Sequence, residues 1–363
     1  MPRCMSTDDF NSFVDRIMIL RENPRLPIEK FSLSYHRSCH NNNISRCIRA
    51  AAKLAAKEVE ITLPEPQMVR LFHWDAFEGF NTLVSLKLEG GVVLGVPNGV
   101  VLPFVRLKKL YLISVFYSSN EAFTKFISGC PVLEELILER QATRKSDKMS
   151  IFNISSPSLK MIEVLFLKDC DGKCNLVILA RQLEKIHLID KMSSDIYVKP
   201  TSSVVQAYIN TTVKSLVRVF RGVCSVKNLT LARETMECLK KKINTGAVVN
   251  LPIFNELITL VVHNCDCYVM DVLLNAMPKL ESVTFDEVLA CIAHWQPPME
   301  GPQCLHTLRN INISKVIRDP ELLLVKYFLD RCVSLETLTI PKGIGQKIVG
   351  LPRASPVCHI QFP

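Results

Sequence analysis

Apolar residues recur along most of this chain in a single spacing. Leu133-x-x-Leu136-x-Leu138 shows it best: a bend followed by alternation of period 2 sends all three side chains to one side. The spacing first occurs at Ile28-x-x-Phe31-x-Leu33 and Ala56-x-x-Val59-x-Ile61, then at Leu83, Leu107, Leu133, Leu159 and Leu183. It continues at Val204, Val226, Leu257, Leu280, Leu308 and Leu335. Successive first anchors lie about 21 to 31 residues apart, roughly 26 on average, which is the period of a stacked repeat. A unit this small cannot bury its own apolar face, so it is stable only with similar units on both sides.

The pattern predicts an α/β fold: an irregular leucine-rich-repeat solenoid, or horseshoe. Parallel strands would form its concave face, and helices or extended segments its convex face. Helical periodicity is expected over Asp9 to Leu20, Ile44 to Ala56, Glu121 to Ser128, Glu234 to Ile243, Val269 to Met277 and Glu321 to Cys332. Gly129 and Pro131 stop the third of these before its strand begins. Glu89 to Pro103 and Ser146 to Ser158 are poor helix formers and are expected to cross as extended chain or short 3₁₀ turns.

Composition agrees with a large buried core: of 363 residues, 48% are apolar and 22% charged, which excludes disorder for most of the length. The formal charge of +9 is spread along the chain among acidic residues and marks no nucleic-acid site. Fourteen cysteines sit singly in apolar runs or at helix ends, which fits a reducing compartment better than a disulfide framework. Met1 to Phe10 lacks the apolar centre of a signal peptide, and Gly91 to Val105 is too short and broken to span a bilayer. An intracellular protein, cytoplasmic or nuclear, is expected, with no membrane partner.

Candidate chemistry is sparse. His263 with Cys265 and Cys267, Cys170 with Cys174, and His36, Cys39, His40 and Cys47 offer soft ligands, but no spacing completes a tetrahedral set. No nucleophile elbow, phosphate-binding loop or dinucleotide fingerprint is present. Neither an enzyme nor a cofactor is therefore expected. Arg140, Arg144, Lys145 and Lys148, and Lys240 to Lys242, form basic runs without interleaved aromatics, so they read as solvated faces rather than a nucleic-acid site.

Residues between and after the anchors should face away from the core. This outward ladder begins polar, with Lys30, Ser32, Ser34, Glu58, Glu60, Thr62, Ser85, Lys87 and Glu89. Its middle carries Tyr111, Ile113, Glu135, Ile137, Glu139, Met161, Glu163, Leu165, His187, Ile189 and Tyr208. It turns polar again through Asn228, Thr230, Thr259, Ser282, Thr284, Asn310 and Asn312. An apolar stretch with Tyr and Met among charges, on a surface facing water, is the expected partner-binding site.

The C-terminal motifs are more specific than the repeats. Trp295-Gln-Pro-Pro298, Cys304-Leu305 leading into Leu308-Arg-Asn-Ile311, Leu335-Glu-Thr-Leu338 and Leu351-Pro-Arg-Ala-Ser355-Pro-Val-Cys358-His-Ile-Gln-Phe362 resemble the FBD domain of plant F-box/leucine-rich-repeat proteins. Cys130-Pro131-x-Leu133-Glu134 and Asn11 to Arg16 are similar to that family too. The resemblance implies a solenoid over residues 1–290 and an FBD-like domain over 291–363 that continues it. It also implies recruitment of a protein substrate to a Skp–cullin ubiquitin ligase. The family's F-box, which holds the Skp-type adaptor, would already have ended where this chain starts, so only the substrate-binding half of the role carries over. The alternative is a protein-binding scaffold outside ubiquitin transfer, or a competitor of full-length relatives.

Overall fold

A computed structural model of the chain describes residues 12, 16, 28–34, 41–63, 70–71, 77–96, 102, 104–140, 149–167, 174–245, 249–286, 301–315, 322–342, 345–348 and 350–362. The chain divides into two units, Met1–Leu183 and Glu184–Pro363. Of the expected helix over Asp9 to Leu20, only Ser12 and Arg16 are described, both as helical; the loop histidines His36 and His40 with Cys39, the Cys170 position, and the Trp295 to Pro298 motif lie outside the described residues.

In the first unit the strands are β1 (Lys30–Ser34), β2 (Glu58–Leu63), β3 (Arg70–Leu71), β4 (Ser85–Gly90), β5 (Val92–Leu94) and β6 (Lys109–Ile113), followed by β7 (Phe116–Tyr117), β8 (Glu135–Arg140), β9 (Ile151–Ser155), β10 (Met161–Phe166) and β11 (Asn175–Leu179). Strands β1, β2, β4, β6, β8 and β10 pair in that order, all parallel. The second unit contains β12 (Lys185–Asp190), β13 (Asp195–Val198), β14 (Gln206–Thr211), β15 (Asn228–Leu231), β16 (Thr259–Val262), β17 (Ser282–Phe285), β18 (Asn310–Ile313), β19 (Thr337–Thr339) and β20 (His359–Gln361). Here β12 and β14 to β20 form a second parallel run. The fold is a leucine-rich-repeat solenoid in which each of the thirteen spacings read from the sequence produces one of these strands.

Alternation decides which way each side chain points. Within β8, Leu136, Leu138 and Arg140 are buried while Glu135, Ile137 and Glu139 are half-exposed, and β4, β10 and β14 alternate likewise. Because both strand edges are occupied in a parallel stack, anchor meets anchor: Leu86, Leu110, Leu136 and Ile162 are register partners in turn. Each such side chain, once buried, contributes about 1.5–3 kcal/mol. The Ala56 and Val204 repeats, in which Ala56 and Ala207 stand where leucine is usual, hold as well, since Ala56, Val204 and Ala207 are buried.

Behind the strands, the helices match the expected periods to within a few residues. They run Asn41–Lys53, Asn120–Ser128, Arg233–Asn244, Cys267–Asn275 and Leu322–Arg331. A further helix, Leu216–Gly222, was not evident from periodicity, being only seven residues long. The helix-poor connections are extended, and they also pair: β5 lies between β3 and β7, and β9 pairs with β11. Phe152 on β9 packs against Phe123 of the helix Asn120–Ser128 and against Phe166, at ring-centroid distances of 5.2 and 5.0 Å. Asn120 ties this helix to β9, its Oδ1 accepting from the Ser150 and Ile151 amides at 3.0 and 3.2 Å.

Arg140 departs from its expected place in a solvated basic loop. It ends β8 pointing inward, 3% exposed, with its guanidinium 5.0 Å from the Phe152 ring centroid. Its position, two residues beyond Leu138, puts it on the anchor side by the same alternation. Among the other basic residues, Arg144, Lys145 and Lys148 lie outside the described residues. The Lys240 to Lys242 run divides: Lys240 pairs with the buried Asp266 at 3.0 Å, and Lys242 donates to the Lys214 carbonyl.

Two recurring devices join repeat to repeat. A hydroxyl just before the first anchor donates to the preceding repeat: Thr82 to the Ala56 carbonyl at 3.2 Å, Ser158 to Leu133 at 2.9 Å and Thr307 to Leu280 at 2.7 Å. Just after the first anchor, opposite charges meet across strands. Lys108 and Lys160 flank Glu134 at 2.9 and 3.2 Å and hold its carboxyl below the usual range, and Arg309 pairs with Glu336 at 2.9 Å. At Gly90 the backbone has φ +88°, and an added Cβ would lie 1.9 Å from the Leu63 carbonyl oxygen. Only glycine fits there. No helix among the described residues is long and apolar enough to cross a membrane.

Truncating Phe152 to Ala should cost roughly 3–5 kcal/mol, and removing the Ser158 hydroxyl with Ala about 1 kcal/mol. Denaturant midpoints of the two variants against wild type check this order.

Candidate partner-binding face

Strand register assembles the outward residues of the first unit into three rows. The first runs Lys30, Glu58, Ser85, Lys109, Glu135, Met161; the second Ser32, Glu60, Lys87, Tyr111, Ile137, Glu163; the third Ser34, Thr62, Glu89, Ile113, Glu139, Leu165. Neighbours in a row are about 4.8 Å apart, and rows are spaced at two residues, about 6.6 Å. Tyr111 and Ile137 are therefore side by side, while Ile113 and Leu165 are separated by Glu139. The sequence-derived positions Tyr111, Ile113, Glu135, Ile137, Glu139, Met161, Glu163 and Leu165 all lie on this face, each half-buried.

Charges sit inside the apolar stretch as well as around it. Tyr111 donates its hydroxyl to Glu135 at 2.7 Å, and Lys109 reaches the other oxygen of the same carboxylate at 3.3 Å. Burial, then the Glu135 hydrogen bond and the Glu135 and Glu58 charges, push the Tyr111 phenol well above its usual value. Lys30 pairs with Glu60 at 2.7 Å and Lys87 with Glu89 at 2.8 Å. Such half-exposed pairs stabilise by only about 0–1 kcal/mol each, so they do more to set the face's pattern than to hold the fold.

In the second unit His187, Ile189 and Tyr208 are also outward and half-buried. His187 and Tyr208 are register partners, their rings edge-on with centroids 4.5 Å apart. Beyond them the rows become neutral: Gln206, Asn228, Thr259, Ser282, Asn310 and Thr337 in one, Tyr208, Thr230, Val261, Thr284, Asn312 and Thr339 in the next. The first unit's face thus also includes Lys109, and the second unit's outward strand positions include Lys185, Gln206 and Asn210, which the sequence reading passed over. The same period of 2, extended by one step along each strand, finds them.

The other candidate chemistry does not converge. His263 Nδ1 lies 2.9 Å from Asp286, and Asp266 caps the helix Cys267–Asn275 by accepting from the Val269 amide at 2.9 Å. Among the described residues no group of three His, Cys, Asp or Glu side chains could hold a metal ion. Cys47, Cys130, Cys174, Cys265, Cys304, Cys332 and Cys358 are buried free thiols, and Cys224 and Cys238 are half-buried ones. Cys267 differs in being disulfide-bonded. Burial pushes the Cys130 and Cys304 thiols up to about 12, which removes the thiolate that a nucleophile needs.

Residues 44–208 match the family model described as "FBD-associated F-box protein At5g56370, LRR repeats". Over these residues the chain is similar to the FBD-associated F-box leucine-rich-repeat family. An FBD-associated F-box protein of Arabidopsis thaliana is 27% identical over 288 residues, covering 77% of this chain and 68% of the relative. A second from the same plant is 25% identical over 387 residues, covering 97% of this chain and 86% of its own length. An F-box/FBD/LRR-repeat protein, also from Arabidopsis thaliana, is 26% identical over 371 residues, covering 92% and 80%. No solved structure matches the chain. The family match spans every strand of the first unit's outward face from β2 onward, and it reaches Tyr208 in the second.

Tyr111 should remain protonated above pH 10.0, where an ordinary tyrosine ionises, and Glu135→Gln should bring its titration down by removing the hydrogen bond and a charge. Ultraviolet difference titration against Tyr111→Phe isolates this group.

Proposed function

We propose that this chain is a non-enzymatic protein-recognition solenoid that uses its outward strand face to hold a protein partner. The observation that supports this is the register of β6, β8 and β10. It gathers Tyr111, Ile113, Ile137, Met161 and Leu165 as half-buried apolar side chains on the side away from the core. Fixed on strands, such side chains lose little further freedom when they are covered, which favours binding. Glu135, Glu139, Glu163, His187, Ile189 and Tyr208 complete the proposed contact set. The kinship with F-box/FBD/LRR proteins supports a narrower reading, in which the partner is a substrate brought to a Skp–cullin ubiquitin ligase. Residues 291–363 would act as the FBD-like continuation of the solenoid.

Asp substituted singly at Tyr111, Met161 and Tyr208 should each weaken partner capture about tenfold or more while leaving the circular dichroism spectrum unchanged. Quantitative affinity purification from plant extract, wild type against variants, measures it. Unchanged partner recovery by all three folded variants would sink the reading. Co-purification of a Skp-type adaptor tests the ubiquitin-ligase part separately.

A further inference from the structure

From β15 to β19 the outward face is built almost wholly from small, neutral, polar side chains. Asn228, Thr259, Ser282, Asn310 and Thr337 are register partners in turn, and Thr230, Val261, Thr284, Asn312 and Thr339 form the row beside them. Nine of these ten are Ser, Thr or Asn, none is charged, and all are open to water in part or in full. At the chain's 22% charged content about two of the ten should carry charge, and more at positions facing water. Charge returns one step away on each side. Lys227, Glu281, Arg309 and Glu336 immediately precede their strands, and past the strand ends His263 lies 2.9 Å from Asp286.

The polar groups of this patch are not spent on one another. Among the described residues, none of these nine side chains hydrogen-bonds within the protein. Ser158 and Thr307, by contrast, donate to carbonyls of the preceding repeat. Each hydroxyl both donates and accepts, and each carboxamide offers two donors and an acceptor. Strands about 4.8 Å apart and rows about 6.6 Å apart hold these groups as a grid fixed by the backbone.

Desolvation decides what can cover such a grid. A charged ligand would lose its water and meet no counter-charge, and an apolar surface would leave the hydroxyls and carboxamides without partners. A protein surface takes most of its affinity from a few anchors in apolar pockets, and Val261 is the one apolar residue of the ten. A neutral oligosaccharide avoids all three costs. It carries no charge, and its closely spaced hydroxyls donate and accept as the grid does.

We propose that the outward face of β15 to β19 binds a neutral oligosaccharide, held by Asn228, Thr230, Thr259, Ser282, Thr284 and Asn312. This goes beyond the protein-recognition reading, since none of these residues belongs to the contact set proposed for the protein partner.

The test is an array of neutral, sialylated and sulfated oligosaccharides probed with the fluorescently labelled full chain. Two double variants are probed in parallel, Thr230→Val/Thr284→Val, which keeps side-chain shape and removes only the hydroxyls, and Asn228→Ala/Asn312→Ala, with folding checked by circular dichroism. Wild type should bind neutral glycans in preference to the charged ones. In calorimetric titration with the best-bound neutral oligosaccharide, either folded double variant should bind at least about tenfold more weakly. No glycan bound by wild type, binding confined to charged glycans, or neutral binding unchanged in the folded variants would overturn the proposal. None of those results touches the reading of β6, β8 and β10, because Tyr111 and Met161 are intact throughout.

Discussion

Everything in this molecule depends on apolar anchors meeting their counterparts one repeat away. No strand of four to six residues could bury Leu136 and Leu138 unaided, and their burial is supplied by Leu110, Leu112, Ile162 and Val164 in register on either side. Stability is thus close to a sum over neighbouring repeats. The alternation that sends anchors inward also sets Tyr111, Ile137 and Glu163 outward in a row, so the outward face is a by-product of the core's geometry.

The repeat-to-repeat devices serve this stacking without competing with it. Ser158 and Thr307 satisfy carbonyl groups at anchors of the preceding repeat, where a parallel strand has not yet begun and the backbone would otherwise lack a donor. The Lys108–Glu134–Lys160 row lies one residue on, at the strand entrance, and the hydrogen bonds of the two lysines lower the Glu134 pKa. Outward charges such as Lys109 and Glu135 are held in the same cross-strand way, which keeps the pattern of the face fixed.

Much of the architecture was legible in the sequence because period 2 and a repeat of roughly 26 residues are strong signals. What was missed had weak or misleading signals. Strand β20 escaped because its repeat is short and irregular: Ile360 is the register partner of Leu338 but is only half-buried, and Val357, one repeat on from Leu335, is exposed. Ser355 and Cys358 are buried instead, and the Ser355 hydroxyl donates to the Leu335 carbonyl at 2.6 Å. The pairing of β5 with β7 and of β9 with β11 depends on partners distant in sequence, which local pattern cannot supply. Arg140 was read as loop because charge outweighed phase, although its phase with Leu136 and Leu138 places it inward, over Phe152. The outward residues were assigned to the correct side, but the placing of Glu163 beside Ile137 and of Leu165 beside Glu139 needed the register between strands, and one strand's sequence does not contain it.

The central claim is that partners approach the outward strand face and not the opposite sheet. A photo-crosslinking residue placed at Ile137 and, separately, at Ile151 on β9 tests it directly, since Ile151 is also surface-exposed, at 39%, but belongs to the other sheet. Irradiation in plant extract should yield a discrete crosslinked partner from position 137 and none from position 151. A partner captured from position 151 alone would contradict the account.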